Sequence, residues 1–311
     1  MKMNKTLIIL SLLLIFCISL SAVSAADADI SVNDINNDVA TIESSVNVDD
    51  GINVNDGEIH YSSEISEEIY NATGTYNITH DYQINKTWEI PNPNVIIEGN
   101  NHTIYGNGKQ AFNIWGNNVT IKNLNFVNCS ANSKTTSSGG AIDFFTGGSS
   151  VSCCSFVNCY AKENGGAIYF GSSGSVSCCS FVNCSASGTY GGGAIYFGSS
   201  GSVNYCIFDN NNANYGDAIY SVGDAVNLDY NFFGFQNNVT NFPSGLIYGP
   251  IPTHWVVLNI NRVNNSYLVN FVLNNGSTLN NFMPDYTALL NINDNVKEIT
   301  IKNNNFNDTY V

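Results

Sequence analysis

Between Ile121 and Asp224 few side chains can do acid–base chemistry: Asp143, Glu163, Asp209, Asp217 and Asp224, with Lys122, Lys134 and Lys162 as the cations. Cleaving or de-esterifying an acidic polysaccharide needs cationic groups to hold the substrate carboxylate. It also needs a strong base on a calcium site, or two carboxylates held close together. Arginine is absent from this stretch, and the chain's sole arginine is Arg262. Asp143 and Asp217 fall at different places in the pattern described below, so they form no evident pair. A polysaccharide lyase or esterase is therefore disfavoured, and no catalytic residue is assigned.

Cysteine offers a second chemistry. Eight of the nine lie between Cys129 and Cys206, in recurring positions: Cys154, Cys179 and Cys206; Cys153 and Cys178; Cys129, Cys159 and Cys184. A zinc site wants four converging ligands, and His60, His80, His102 and His254 all lie outside this stretch. Neither a metal nor a cofactor is expected. Stacked free thiols are favoured over disulfides between neighbouring copies. The spacing would permit a bond, but parallel Cβ vectors oppose it.

The best binding candidate is a stripe. Each Ala-Ile dipeptide of the pattern is followed in turn by Asp143, Tyr169, Tyr196 and Tyr220. If the isoleucines face inward, this column faces out, which suits Asp143 because a buried unpaired carboxylate is costly. Stacked tyrosines would make a flat amphipathic strip for sugar rings or a partner protein. The opposite assignment, with tyrosine inside, stays open, because tyrosine is common on strands anyway.

What must position these residues is a repeat. Val151-Ser-Cys-Cys-Ser-Phe156-Val-Asn-Cys159 recurs as Val176-Ser-Cys-Cys-Ser-Phe181-Val-Asn-Cys184 and, more loosely, as Val203-Asn-Tyr-Cys-Ile-Phe208-Asp-Asn210. An earlier copy is Ile121-Lys-Asn-Leu-Asn-Phe126-Val-Asn-Cys129. Glycine-led partners follow: Gly139-Gly-Ala-Ile142, Gly165-Gly-Ala-Ile168, Gly192-Gly-Ala-Ile195 and Gly216-Asp-Ala-Ile219. A variable period with fixed internal spacing means stacked turns that accept insertions. The apolar runs are strand-length and bounded by Gly, Ser and Asn. The expected fold is all-β, a parallel β-helix with rungs roughly 4.8 Å apart. Aligned positions then become columns. Phe126, Phe156, Phe181 and Phe208 form one inside, each contributing roughly 1.5–3 kcal/mol. Cys154, Cys179 and Cys206 form another, and Asn128, Asn158, Asn183 and Asn210 line a turn.

The alternation of Phe156-Val-Asn158 with Gly-Gly-Ala-Ile resembles the repeats of the polymorphic outer-membrane protein family. It resembles more closely the adhesin-like surface proteins of methanogenic archaea that carry such repeats. Val95–Ile104 and Val119–Phe126 look like the first rungs of those helices. In this chain the asparagine stands two places after phenylalanine rather than three, and the fourth Gly-Gly reads Gly216-Asp217. The resemblance implies a right-handed parallel β-helix at the cell surface, with a role in adhesion.

The rest of the chain fits that expectation. Met1–Ala25 reads as a secretory signal, with Lys2 and Lys5, an apolar run from Leu7 to Leu20, and small residues before Ala25. No later run is long and apolar enough to span, so no integral membrane segment is expected after cleavage. Residues 26–69 hold twelve of the 25 acidic residues and no Lys or Arg. They read as an extended, disordered acidic leader. The β-helix is expected over 70–240 and a proline-broken linker over 241–253. A small immunoglobulin-like β-sandwich module is expected over 254–311, although it is short for a complete sandwich.

A net charge of −15 leaves no footprint for nucleic acid. Asn-x-Ser/Thr sequons recur, as at Asn71, Asn77 and Asn118, so glycosylation would accompany export. Two readings follow. The chain is a secreted, cell-surface adhesin-like protein engaging a glycan or a protein on another cell, or it is an envelope spacer without a specific ligand.

Overall fold

One repeat makes one turn of a solenoid. Ser149–Ser152 forms a strand and Cys153 turns the chain, with φ +52°. Ser155–Val157 follows, Asn158 turns it again at φ +55°, and Tyr160–Ala161 makes a short corner strand. Gly165 then reverses direction and Ile168–Phe170 completes the turn. In the computed structural model the described residues are 32–33, 39–44, 59–133, 137–223, 225–236, 241–263, 266–292 and 295–309. The signal expected at Met1–Ala25 lies outside them, as does most of the leader.

Stacking gives a parallel β-solenoid of about eight turns. A first sheet runs from Thr75–Asn77 to Val226–Asn227 in seven strands, and a third from Trp88–Ile90 to Ile247–Tyr248 in seven. The second sheet begins at His60–Tyr61 and carries the phenylalanine column. A four-stranded corner sheet ends at Asn212–Ala213. Registers are strict: Phe126, Phe156, Phe181 and Phe208 are successive partners, with rings stacked 4.8–5.0 Å apart and buried.

The polar columns bond along the axis. Asn183 Nδ2 donates to Asn158 Oδ1 at 2.6 Å, and Asn210 Nδ2 to Asn183 Oδ1 at 3.4 Å. Asparagine tolerates the left-handed backbone required at this corner. All eight described cysteines are free thiols. The Cys154 and Cys179 amides donate to the sulfur of the next rung, Cys179 and Cys206, at 3.4 Å. Burial pushes the Cys154, Cys159, Cys184 and Cys206 thiols well up, so they stay protonated. Both ladders finish in asparagine, with Asn231 Oδ1 accepting from the Cys206 amide and Asn211 Oδ1 from the Cys184 amide.

Solenoid ends need covering. At the N-terminal end Ser66–Tyr70 forms a short helix, with Ile69 buried against the core. Trp88 Nε1 donates to the Ser62 carbonyl and Ser62 Oγ to the Lys86 carbonyl.

The immunoglobulin-like module expected at 254–311 is not confirmed. Val256–Val263 pairs in parallel with Phe232–Gln236 and so continues the solenoid's second sheet. Ser266–Leu273 and Asn305–Thr309 extend that sheet antiparallel. Alternation along Val256–Val263 serves two cores. Trp255 and Val257 pack into the solenoid, while Val256, Leu258 and Ile260 join Phe271, Leu290 and Ile299 outside it. The opposing sheet consists of Tyr286–Ile292 and Asn295–Ile301 together with Val39–Ser44 and Val32–Asn33. Within the acidic leader, Val39–Ser44 thus pairs antiparallel with Tyr286–Ile292. Among the described residues no helix is long and apolar enough to cross a membrane.

Candidate functional site

The third sheet positions the stripe. In Ile142–Phe144, Ile168–Phe170 and Ile195–Phe197 the first and third residues are fully buried in the solenoid. The middle residue of each must therefore lie on the outer face. Of the two orientations open on sequence, isoleucine inside is the one adopted. Strand registers extend the column in both directions, to Glu89, Asn113, Asp143, Tyr169, Tyr196, Tyr220 and Tyr248. The four tyrosines stack with ring centroids 4.9, 5.2 and 4.5 Å apart and planes within 11°.

Asn113, Asp143, Tyr196 and Tyr220 of this column are buried. Gly139 and Gly165, both at positive φ, fold back onto the strand. A β-carbon there would lie 3.1 Å from the Asp143 Cα and 3.2 Å from the Tyr169 Cα. Tyr196 and Tyr220 are buried by their neighbours' rings, and Tyr248 at the open end is 49% exposed. Burial, then the neighbouring tyrosines, push the Tyr196 hydroxyl up to about 12.

The expectation that Asp143 is solvated does not hold: its residue is only 5% exposed and its Oδ1 has no hydrogen-bond partner. Burial first, and Glu89 second, raise its carboxyl from 3.8 to about 7. The physical reason is the glycine turn lying against its backbone and the stacked column to either side.

Two aromatics escaped the sequence reading. Trp115 and Phe145 follow the third-sheet strands Phe112–Ile114 and Ile142–Phe144, and their rings stack 3.8 Å apart at 1°. They are 51% and 38% exposed. Trp115 Nε1 donates to Glu89 Oε2 at 2.7 Å, and Asn113 Nδ2 to Glu89 Oε1 at 2.9 Å. One carboxylate therefore fixes both the indole and the amide. On the next two rungs the same column is Gly171 and Gly198, so the projecting wall stops and the tyrosine edges form lower ground. On the other flank the exposed Tyr190 and Tyr215 meet Tyr220 and Tyr248 edge-on. Carrying the Ala-Ile pattern back one copy, to Ala111-Phe112, would have revealed the pair.

The remaining acids do not converge. Asp209 sits on the second sheet and accepts from the Tyr286 hydroxyl at 3.3 Å. Asp217 accepts from the Ala213 amide at 3.0 Å, serving a turn rather than a ligand. Asp224 lies outside the described residues. Among the described residues no group of three or more His, Cys, Asp or Glu could hold a metal ion. The arrangement offers apolar ring faces and edges beside acceptor oxygens, which is the chemistry of recognition. Comparison with known proteins finds no family model, curated protein or solved structure that matches this chain.

Proposed function

We propose that the chain is a secreted, adhesin-like cell-surface protein that binds a glycan along the outer face of its third sheet. The carrying observation is the gathering of exposed aromatics there. Trp115, Phe145, Tyr190, Tyr215 and Tyr248 all border one strip built on the tyrosine stack. Exposed apolar patches of this kind mark interaction sites, and rings with a polar edge suit sugar rings. The repeat's resemblance to adhesin-like surface proteins of methanogenic archaea supports the same reading, as does the signal-like Met1–Ala25.

The test is retention of the purified chain on a glycan array and on whole cells at physiological salt. Binding should be saturable and lost in a Trp115→Ala, Tyr248→Ala double variant. Both residues are exposed, so the fold should survive where Tyr196→Ala would open a cavity. Retention unchanged in the double variant overturns the strip as the site.

A second reading, an envelope spacer without a specific ligand, is favoured by the bonded asparagine and thiol ladders, which tie successive turns together. Absence of retention on every surface would support it.

A further inference from the structure

Resting on the glycan reading, we propose that the strip selects a neutral or amine-bearing sugar chain and rejects an acidic one, with Glu89 setting the selection. The basis is the charge beside the aromatic pair. At the Trp115–Phe145 end, the indole N–H and one of the two Asn113 amide N–H groups are spent on Glu89. Asn113 Oδ1 and Asp143 Oδ1 are buried, so the acceptor left for a ligand is the Glu89 carboxylate, which keeps lone pairs beyond the two bonds it accepts.

Two of the lysines are held in ion pairs away from the strip. Lys122 pairs with Glu98 at 3.0 Å beside the first sheet, and Lys302 with Asp285 in the C-terminal region. Among the described residues neither Glu89 nor Asp143 has a lysine or arginine partner. A ligand on the exposed face of this aromatic pair therefore meets the Glu89 carboxylate, which bonds the exposed indole. Hydroxyl and ammonium groups can donate to it. A uronate or sulfated sugar would bring a second anion with nothing to neutralise it, and the overall charge of −15 adds to that repulsion.

The experiment is a fluorescence titration of the full chain with cello-oligosaccharides, chitosan oligomers and oligogalacturonates of matched length. Trp88 and Trp255 are buried, so the exposed Trp115 reports the strip, and a Trp115→Phe variant should lose the signal. The neutral and amine-bearing oligomers should saturate with dissociation constants at least tenfold below that of the galacturonate. Glu89→Gln should shrink that ratio several-fold. Equal or tighter binding of the galacturonate overturns the selectivity while leaving the glycan reading in place. An unchanged ratio in Glu89→Gln overturns the role given to Glu89. A saturable signal from none of the three overturns the glycan reading itself.

Discussion

Asp143 and Asn113 stand in register one rung apart on the outer face of the third sheet, and each has a buried Oδ1 that no donor reaches. Two acceptors side by side are costly. A proton on Asp143 turns one of them into a donor, which is the physical sense of a carboxyl held near neutrality.

The consequence is a pH dependence of unusual sign. Asp143 is raised from 3.8 to about 7, so between these values the folded chain holds a proton that the unfolded chain has released. Stability contributed here therefore falls as pH rises through this window and is lowest above 7. The full shift corresponds to at most about 4 kcal/mol. Asp143→Asn should flatten the dependence and raise the melting temperature at pH 8 more than at pH 5. Equal effects at both pH values would show that Asp143 ionises normally.

Thiol reactivity should sort by column. Cys153 is exposed and Cys178 half-buried, while the other six described cysteines are buried. A chromogenic disulfide added to the chain from residue 26 onward should titrate two thiols quickly and all eight after denaturation. Fewer than eight in denaturant would reveal a disulfide. Rapid reaction of more than two would mean that the sulfur ladders open readily.

Cys153 and Cys178 also hold a left-handed backbone, with φ +52° and +53°. The corresponding position one rung earlier is Asn123, at φ +53°. Such a conformation costs an ordinary residue roughly 1–2 kcal/mol, and asparagine less. The double variant Cys153→Asn, Cys178→Asn should gain about 1 kcal/mol in denaturant unfolding. A loss would show that the thiols contribute packing that outweighs the strain.

The edge of Tyr286–Ile292 is covered by Val39–Ser44, from more than 240 residues away in the chain. Removing residues 26–58 should bare that edge, and exposed strand edges pair with other chains. Light scattering should then show concentration-dependent association that the longer chain lacks. A monomer at all concentrations would mean that the edge is protected without the leader.

The repeat made the solenoid legible because its spacing is conserved inside each copy. Once Phe126, Phe156, Phe181 and Phe208 align, register follows for every other column, including the asparagine corner. The second glycine of each pair was legible for the same reason. A β-carbon at Gly140, Gly166 or Gly193 would come within 2.0 Å of the next rung's carbonyl oxygen. Asp217 departs from this in the fourth copy, where its amide donates to the Gly245 carbonyl and its carboxylate accepts from the Ala213 amide.

Sequence alone thus determined the columns and the outward-facing stripe as a candidate, since both are local consequences of periodicity. Tertiary structure decided what periodicity does not encode. It buried Asp143, through a glycine turn folding back on its strand. It paired Trp115 with Phe145, two residues from rungs whose motif has drifted. It also merged the C-terminal strands with the solenoid, because Val256–Val263 can place alternate side chains in two cores at once. These outcomes depend on contacts between segments far apart in the chain, where no spacing rule links one residue to the other.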